Sequence, residues 1–174
     1  MPTIRLIMTN MKKELVVMWV YDKESYERIL HLRKQKLKAD KDNHPHITFA
    51  HYELVDETKI IKHTDKFIKQ VNVFNVTFDA VTLFDETIVM TTPFENEIKR
   101  YYEIYHKKYQ KYLNTYTMID NFIPHTTLIT NEDLFEPFKD TFKPLHLTID
   151  KCQISWVKAD GFEIIKTYEL KKVG

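Results

Sequence analysis

The sequence predicts an α+β fold of two similar lobes, each a small mixed β-sheet backed by helices. Three observations carry this reading. Strand-like and helix-like periods alternate along 174 residues, twice in the order strand, helix, strand, helix, strand. Two near-identical phrases, Pro45-His46-Ile47-Thr48-Phe49 and Pro124-His125-Thr126-Thr127-Leu128, fall on the central strand of each half. The length fits a single domain, residues 1–174, whose lobes run roughly over 14–84 and 86–170 behind an N-terminal extension, 1–10. A chain of this size buries about 70% of its unfolded surface and needs no disulfide or metal for stability.

Taken in order, ELVVMWVY (14–21) is an apolar, β-branched strand. Asp22 caps a helix over about 23–38, with Tyr26, Ile29, Leu30 and Leu37 towards the core. HPHITFAHY (44–52) is a strand carrying the first phrase, and Asp56 opens a helix to about Gln70. VNVFNVTFDAVTLF (71–84) alternates as one strand and ETIVMTT (86–92) returns as another. Thr92-Pro93-Phe94-Glu95 matches a capping box with proline at the first helical position, and its helix runs to about Tyr112. FIPHTTLIT (122–130) is the second motif strand. Asn131-Glu132-Asp133 starts a short helix ending near Thr141, and 145–157 and 162–170 close the fold around Gly161.

Composition excludes several classes. Hydrophobic residues at 43% and aromatics at 13% are globular values. A net charge of +1 argues against coating duplex DNA through charge, while leaving short oligonucleotides and nucleotides open. With two glycines, Gly161 and Gly174, there is no glycine-rich phosphate loop of Walker or Rossmann type. The single cysteine, Cys152, alternates with Ile154 and Trp156 and reads as a buried structural thiol. A chain unable to form an internal disulfide suits a reducing, cytoplasmic setting. No stretch reaches the roughly 18 apolar residues of a membrane span. The start, MPTIRLIMTNMKK, lacks the long apolar region and small-residue site of a signal peptide, and Met11 is a possible alternative start.

The repeated phrase carries the chemistry. Residues two apart on a strand share a face, so His46 lies beside Thr48, and His125 beside Thr127, with apolar anchors behind. Pro45 and Pro124 fix φ just before each histidine and donate no hydrogen bond, which suits a strand beginning at a cleft edge. Of two imidazoles across a gap, one can take a proton from an attacking oxygen while the other protonates the leaving oxygen. Threonine hydroxyls can donate to the non-bridging oxygens of a phosphate without a metal. Such a set suits phosphodiester cleavage at a ribose.

Other features read more plainly. A third H-x-T, His146-Leu147-Thr148, follows leucine and reads as the solvent or sheet face of a closing strand. His44, His46 and His51 suggest a metal site, but the odd offset of His51 sends it to the opposite face of a straight strand. His44 shares the His46 side, where it and Tyr52 can line the cleft; for His44 an exposed loop position is the plainer reading. Tyr101, Tyr105, Tyr109, Tyr112 and Tyr116 have helical spacing and read as a core face rather than a base-stacking platform. The basic run RKQKLKADK (33–41) is either a guide for a nucleic-acid backbone or a solvated helix end. Tyr52, Phe94, Phe122 and Trp156 are candidates to stack on a base.

The two phrases resemble the paired H-x-[T/S]-Φ signatures of the two-histidine (2H) phosphoesterases. That group includes bacterial RNA 2′,3′-cyclic phosphodiesterases, also called 2′-5′ RNA ligases, and viral 2′-5′-oligoadenylate phosphodiesterases. The resemblance spans about residues 14–170 through motif spacing and element order; Thr126 stands where an apolar residue often sits. It implies a bilobal α+β fold with a central cleft and metal-independent catalysis without a cofactor. His46 and His125 would be the acid–base pair, and Thr48 and Thr127 the phosphate binders. The expected partners are RNA ends, 2′-5′ oligonucleotides or cyclic nucleotides, met by a monomer away from membranes. Alternative readings are a non-catalytic oligonucleotide-binding module on the same scaffold, and RNA 2′-5′ end joining.

Overall fold

A computed structural model describes residues 13–37 and 44–173. The N-terminal extension 1–10, Met11 and residues 38–41 of the basic run lie outside the described residues. Strand β1 (Glu14–Tyr21) is the hub. Its apolar run has no polar alternation because both of its faces are covered. Leu15, Val17, Trp19 and Tyr21 enter the main core, while Val16, Met18 and Val20 form a smaller cluster on the other face.

Helix α1 (Lys23–Leu37) starts where expected, with the Ser25 amide donating to Asp22 Oδ1 at 2.8 Å. Ser25, Ile29, Arg33 and Leu37 form its buried stripe. β2 (His46–Glu53) pairs antiparallel with β1. Helix α2 (Glu57–Ile68) is capped by Asp56, whose carboxylate accepts from the Thr58 amide.

The run expected as one strand over 71–84 is two. β3 (Phe74–Phe78) and β4 (Ala80–Phe84) part at Asp79, whose amide donates to the Thr91 carbonyl. Alternation of period two continues through the break, so it cannot reveal that the strand changes partners. β4 turns back at Asp85 (φ 55°) into β5 (Thr87–Thr91). The expected capping box does not form. The Thr92 amide donates to the Pro124 carbonyl, which prolongs the strand, and α3 (Asn96–Tyr105) begins after Glu95 without a side-chain cap. The helix stops at Tyr105 and not Tyr112, and Tyr109 adopts φ 65° ahead of short 3-10 turns at 110–112 and 115–117. Tyr101 and Tyr105 are core residues as read, whereas Tyr116 is exposed.

β6 (His125–Thr130) carries the second phrase, and α4 (Phe135–Thr141) follows a short 3-10 turn. β7 (Leu145–Lys158) and β8 (Gly161–Glu169) form the closing hairpin. Gly161 turns it at φ 138°, where an L side chain is strained.

The strands form two sheets with antiparallel ladders. The larger has the order β2-β1-β7-β3 with β8 also on β7, and the smaller is β4-β5-β6. The lobes are therefore not consecutive halves: a boundary at residue 85 would cut β4 from β5, and β7 and β8 belong with β1. The core of the larger sheet is aromatic. Trp19 stacks on Phe49 at 4.4 Å and meets Phe67, Phe74 and Tyr101, fixing α2 and α3 against the sheet. Such ring pairs add about 0.5–1.5 kcal/mol each beyond their buried area. Cys152 is buried in this core, where burial pushes its thiol pKa up, as its alternation with Ile154 suggested. Among the described residues no helix is long and apolar enough to cross a membrane.

Candidate active site

The two phrases lie on edge strands and not on central ones. β2 is the outer strand of the larger sheet and β6 the outer strand of the smaller. They meet where Thr126 Oγ1 donates to the His46 carbonyl at 2.8 Å. A central strand has neighbours about 4.8 Å away on both sides and no room for a ligand; an edge leaves one side open.

Within each phrase the burial alternates as the strand period requires. Ile47 and Phe49 are buried, as are Thr126 and Leu128, while His46, Thr48, His125 and Thr127 are each partly exposed. The histidines are held alike. His46 Nδ1 donates to the His44 carbonyl at 2.7 Å, and His125 Nδ1 to the Ile123 carbonyl at 2.8 Å. In both, the acceptor lies two residues upstream and proline stands between, its fixed φ shaping the turn. A carbonyl can only accept, so each bond puts the neutral ring's proton on Nδ1 and makes Nε2 the basic nitrogen.

The electrostatics disfavour protonation of both rings. Burial pushes the His46 pKa down to about 4; the His44 carbonyl opposes this, and the charges of His44, His125 and Arg33 add to it. His125 is also lowered by burial, against the pull of the Ile123 carbonyl. A charge on His125 is thus felt at His46 across the sheet boundary. His44 stacks on His46 at 6.1 Å and bonds through Nε2 to Gln153 Oε1 at 2.9 Å, so it is a half-buried supporting residue and not an exposed loop histidine.

Tyr52 does not line the cleft. It is fully buried, because β2 carries a bulge: Val17 pairs with Ala50 and Met18 with Thr48, leaving Phe49 extra. The extra residue inverts the alternation beyond it. Tyr52 swings to the core, and His51 comes to the His46 side, where it pairs with Glu14 at 3.5 Å. The bulged Phe49 carbonyl accepts from Nε2 of buried His106 at 2.8 Å. His146 is exposed on β7 against Thr77, as its context suggested.

Three residues near the histidines were not legible as such in the sequence. Phe162, 43% exposed beside the Gly161 turn, meets the His46 ring edge-on at 5.1 Å. Phe84, beside the Asp85 turn, meets His125 at 4.7 Å. The available signal was an aromatic next to each hairpin turn. By contrast Phe122 is buried, and Phe94 packs on Phe122 and Tyr102. Arg33, first residue of the basic run, is buried, and its Nη2 donates to the Thr127 carbonyl at 2.6 Å.

No family model and no curated protein matches the chain. Solved structures do. E. coli LigT complexed with phosphate aligns at 15% identity and TM-score 0.61, covering 92% of this chain and 98% of that one. The chain has the LigT fold. A crystal structure of a phosphoesterase aligns at 13% identity and TM-score 0.65, covering 91% and 99%. LigT complexed with 3′-AMP aligns at 14% identity and TM-score 0.63, covering 92% and 99%. The α+β architecture expected from the sequence is thus that of LigT.

Proposed function

We propose that the chain is a metal-independent phosphodiesterase that cleaves 2′,3′-cyclic phosphate or 2′-5′ phosphodiester bonds of RNA ends or small oligonucleotides. One observation carries the reading. Two histidines from facing edge strands make the same Nδ1 bond to a carbonyl two residues upstream, and so have the same basic nitrogen, Nε2. Thr48 and Thr127 stand beside them on the same strand faces and are the phosphate-binding hydroxyls. LigT was crystallised with phosphate and with 3′-AMP, which supports a phosphate-bearing ligand here.

For a cyclic ester, one Nε2 takes a proton from water as its oxygen attacks phosphorus. The other histidine, protonated, gives its proton to the departing ribose oxygen. For a 2′-5′ linkage the vicinal 3′-hydroxyl attacks instead and leaves a cyclic phosphate. His46 is the base, since burial and three neighbouring charges all oppose its protonation. His125 feels burial without those charges and is the acid. Substrate loading raises both pKa values, because a phosphate anion favours the imidazolium. End joining is the same chemistry in reverse, and dilute water favours hydrolysis.

The test is turnover of 2′,3′-cyclic and 2′-5′ substrates without added metal. His46→Ala and His125→Ala should each lower kcat at least about 100-fold, the scale of a lost general acid or base, with circular dichroism unchanged. Substantial turnover in either variant overturns the paired mechanism, and binding without turnover in the native protein favours a non-catalytic module.

A further inference from the structure

Thr126 occupies the position between histidine and threonine in the second phrase, where its strand face buries it completely. Its neighbours give it a defined task. Thr126 Oγ1 lies 2.8 Å from the His46 carbonyl and 2.5 Å from Tyr21 Oη. A carbonyl cannot donate, so the single threonine proton goes to His46, and Tyr21 must donate to Thr126. Burial raises the Tyr21 pKa far above its ordinary value, so the phenol keeps that proton throughout the working pH range.

The chain of bonds therefore runs from β1 to β6 to β2, crossing the sheet boundary twice. No strand ladder joins β2 to β6 among the described residues. A second tether lies one residue on, where Arg33 from α1 donates to the Thr127 carbonyl. These bonds, with the packing around them, set where the strand bearing His125 sits against the strand bearing His46.

We propose that Thr126 and Tyr21 are positioning residues that fix the separation of the two imidazoles without touching substrate. The inference rests on the reading of His46 and His125 as an acid–base pair. A hydroxyl suits the task because it both accepts and donates, and valine, nearly the same shape, does neither. Replacing the hydroxyl leaves the His46 carbonyl and the Tyr21 phenol unpaired and lets the two edges drift.

Three variants test this with a nucleoside 2′,3′-cyclic monophosphate as substrate. Thr126→Val should lower kcat about 10- to 100-fold with KM within about 3-fold, since a displacement near 1 Å can cost that much. Thr126→Ser, which keeps the hydroxyl, should stay within about 3-fold of the native kcat, and Tyr21→Phe should fall between the two. A purely structural role predicts instead that kcat per folded molecule is unchanged in Thr126→Val, or that Thr126→Ser fails to restore it; either result overturns the proposal. A readout independent of turnover separates this inference from the functional reading. In Thr126→Val the imidazole NMR signals and titrations of His46 and His125 should both move, while the ring signals of exposed His146 keep their chemical shifts. Unmoved His46 and His125 signals refute positioning even in an active enzyme. Moved signals in a protein that turns over none of the substrates uphold the positioning and defeat only the enzymatic reading.

Discussion

His46 and His125 are kept neutral by the same means, burial of the ring, against the opposing pull of the backbone carbonyl that holds each Nδ1. The sign of the pH dependence follows. kcat/KM reports the free protein, where both pKa values lie below 6.5. Its bell should therefore be centred on the acid side of 6.5, with the acid limb belonging to the more strongly lowered His46. kcat reports the loaded site, and the anion's field moves its bell to higher pH. Profiles of the two parameters measured on one substrate check this. Coincident bells centred above neutrality would contradict it.

At the scale of the element, the β7–β8 hairpin carries a specificity prediction. Gly161 gives the turn its positive φ, and Phe162 beside it holds an exposed ring against His46. A ring in that position can take the face of a nucleobase next to the scissile phosphate, an interaction of about 1–3 kcal/mol per base. Phe162→Ala should then raise KM for a dinucleotide about 5- to 100-fold while changing kcat little. Equal KM values in the variant and the native protein would remove Phe162 from the substrate site.

Much at this scale was readable in advance. The Asp22 and Asp56 caps, the two motif strands and the closing hairpin follow from local chemistry, because a cap or a turn is decided within four residues. Partnering is decided elsewhere. Nothing within 71–84 says that Asp79 ends one sheet's strand and begins another's. Nothing within 44–52 announces the bulge at Phe49 that turns Tyr52 inward. The four motif residues proposed for the site could be singled out in the sequence because their pattern repeats. Phe84, Phe162 and Arg33 were not, since each reaches the histidines through tertiary contact alone. Thr126 looked like a departure from the family pattern, and its meaning appeared only with Tyr21 and His46 beside it.

For the whole molecule, the buried histidines set the acid limit of stability. His106 is buried against the Phe49 carbonyl, and burial pushes its pKa down to about 4, as it does for His46. His44, His63 and His125 are lowered as well. Each has a folded pKa below the unfolded value near 6.5, so below that pH the unfolded chain binds more protons. Their contribution is intact above pH 6.5 and is lost progressively down to about pH 4. For buried His106 alone the loss is on the order of 3 kcal/mol. Urea unfolding at a series of pH values should give a free energy that falls across this window, and a flat curve from pH 7 to 4.5 would contradict the assignment.

The pinning of two sheet edges by side chains has a mechanical consequence. A backbone ladder can slip by a residue pair and re-form, whereas Thr126 and Arg33 each grip one carbonyl and have no second register to fall into. The two edges therefore resist sliding past one another, and losing either grip loosens their meeting without breaking a ladder.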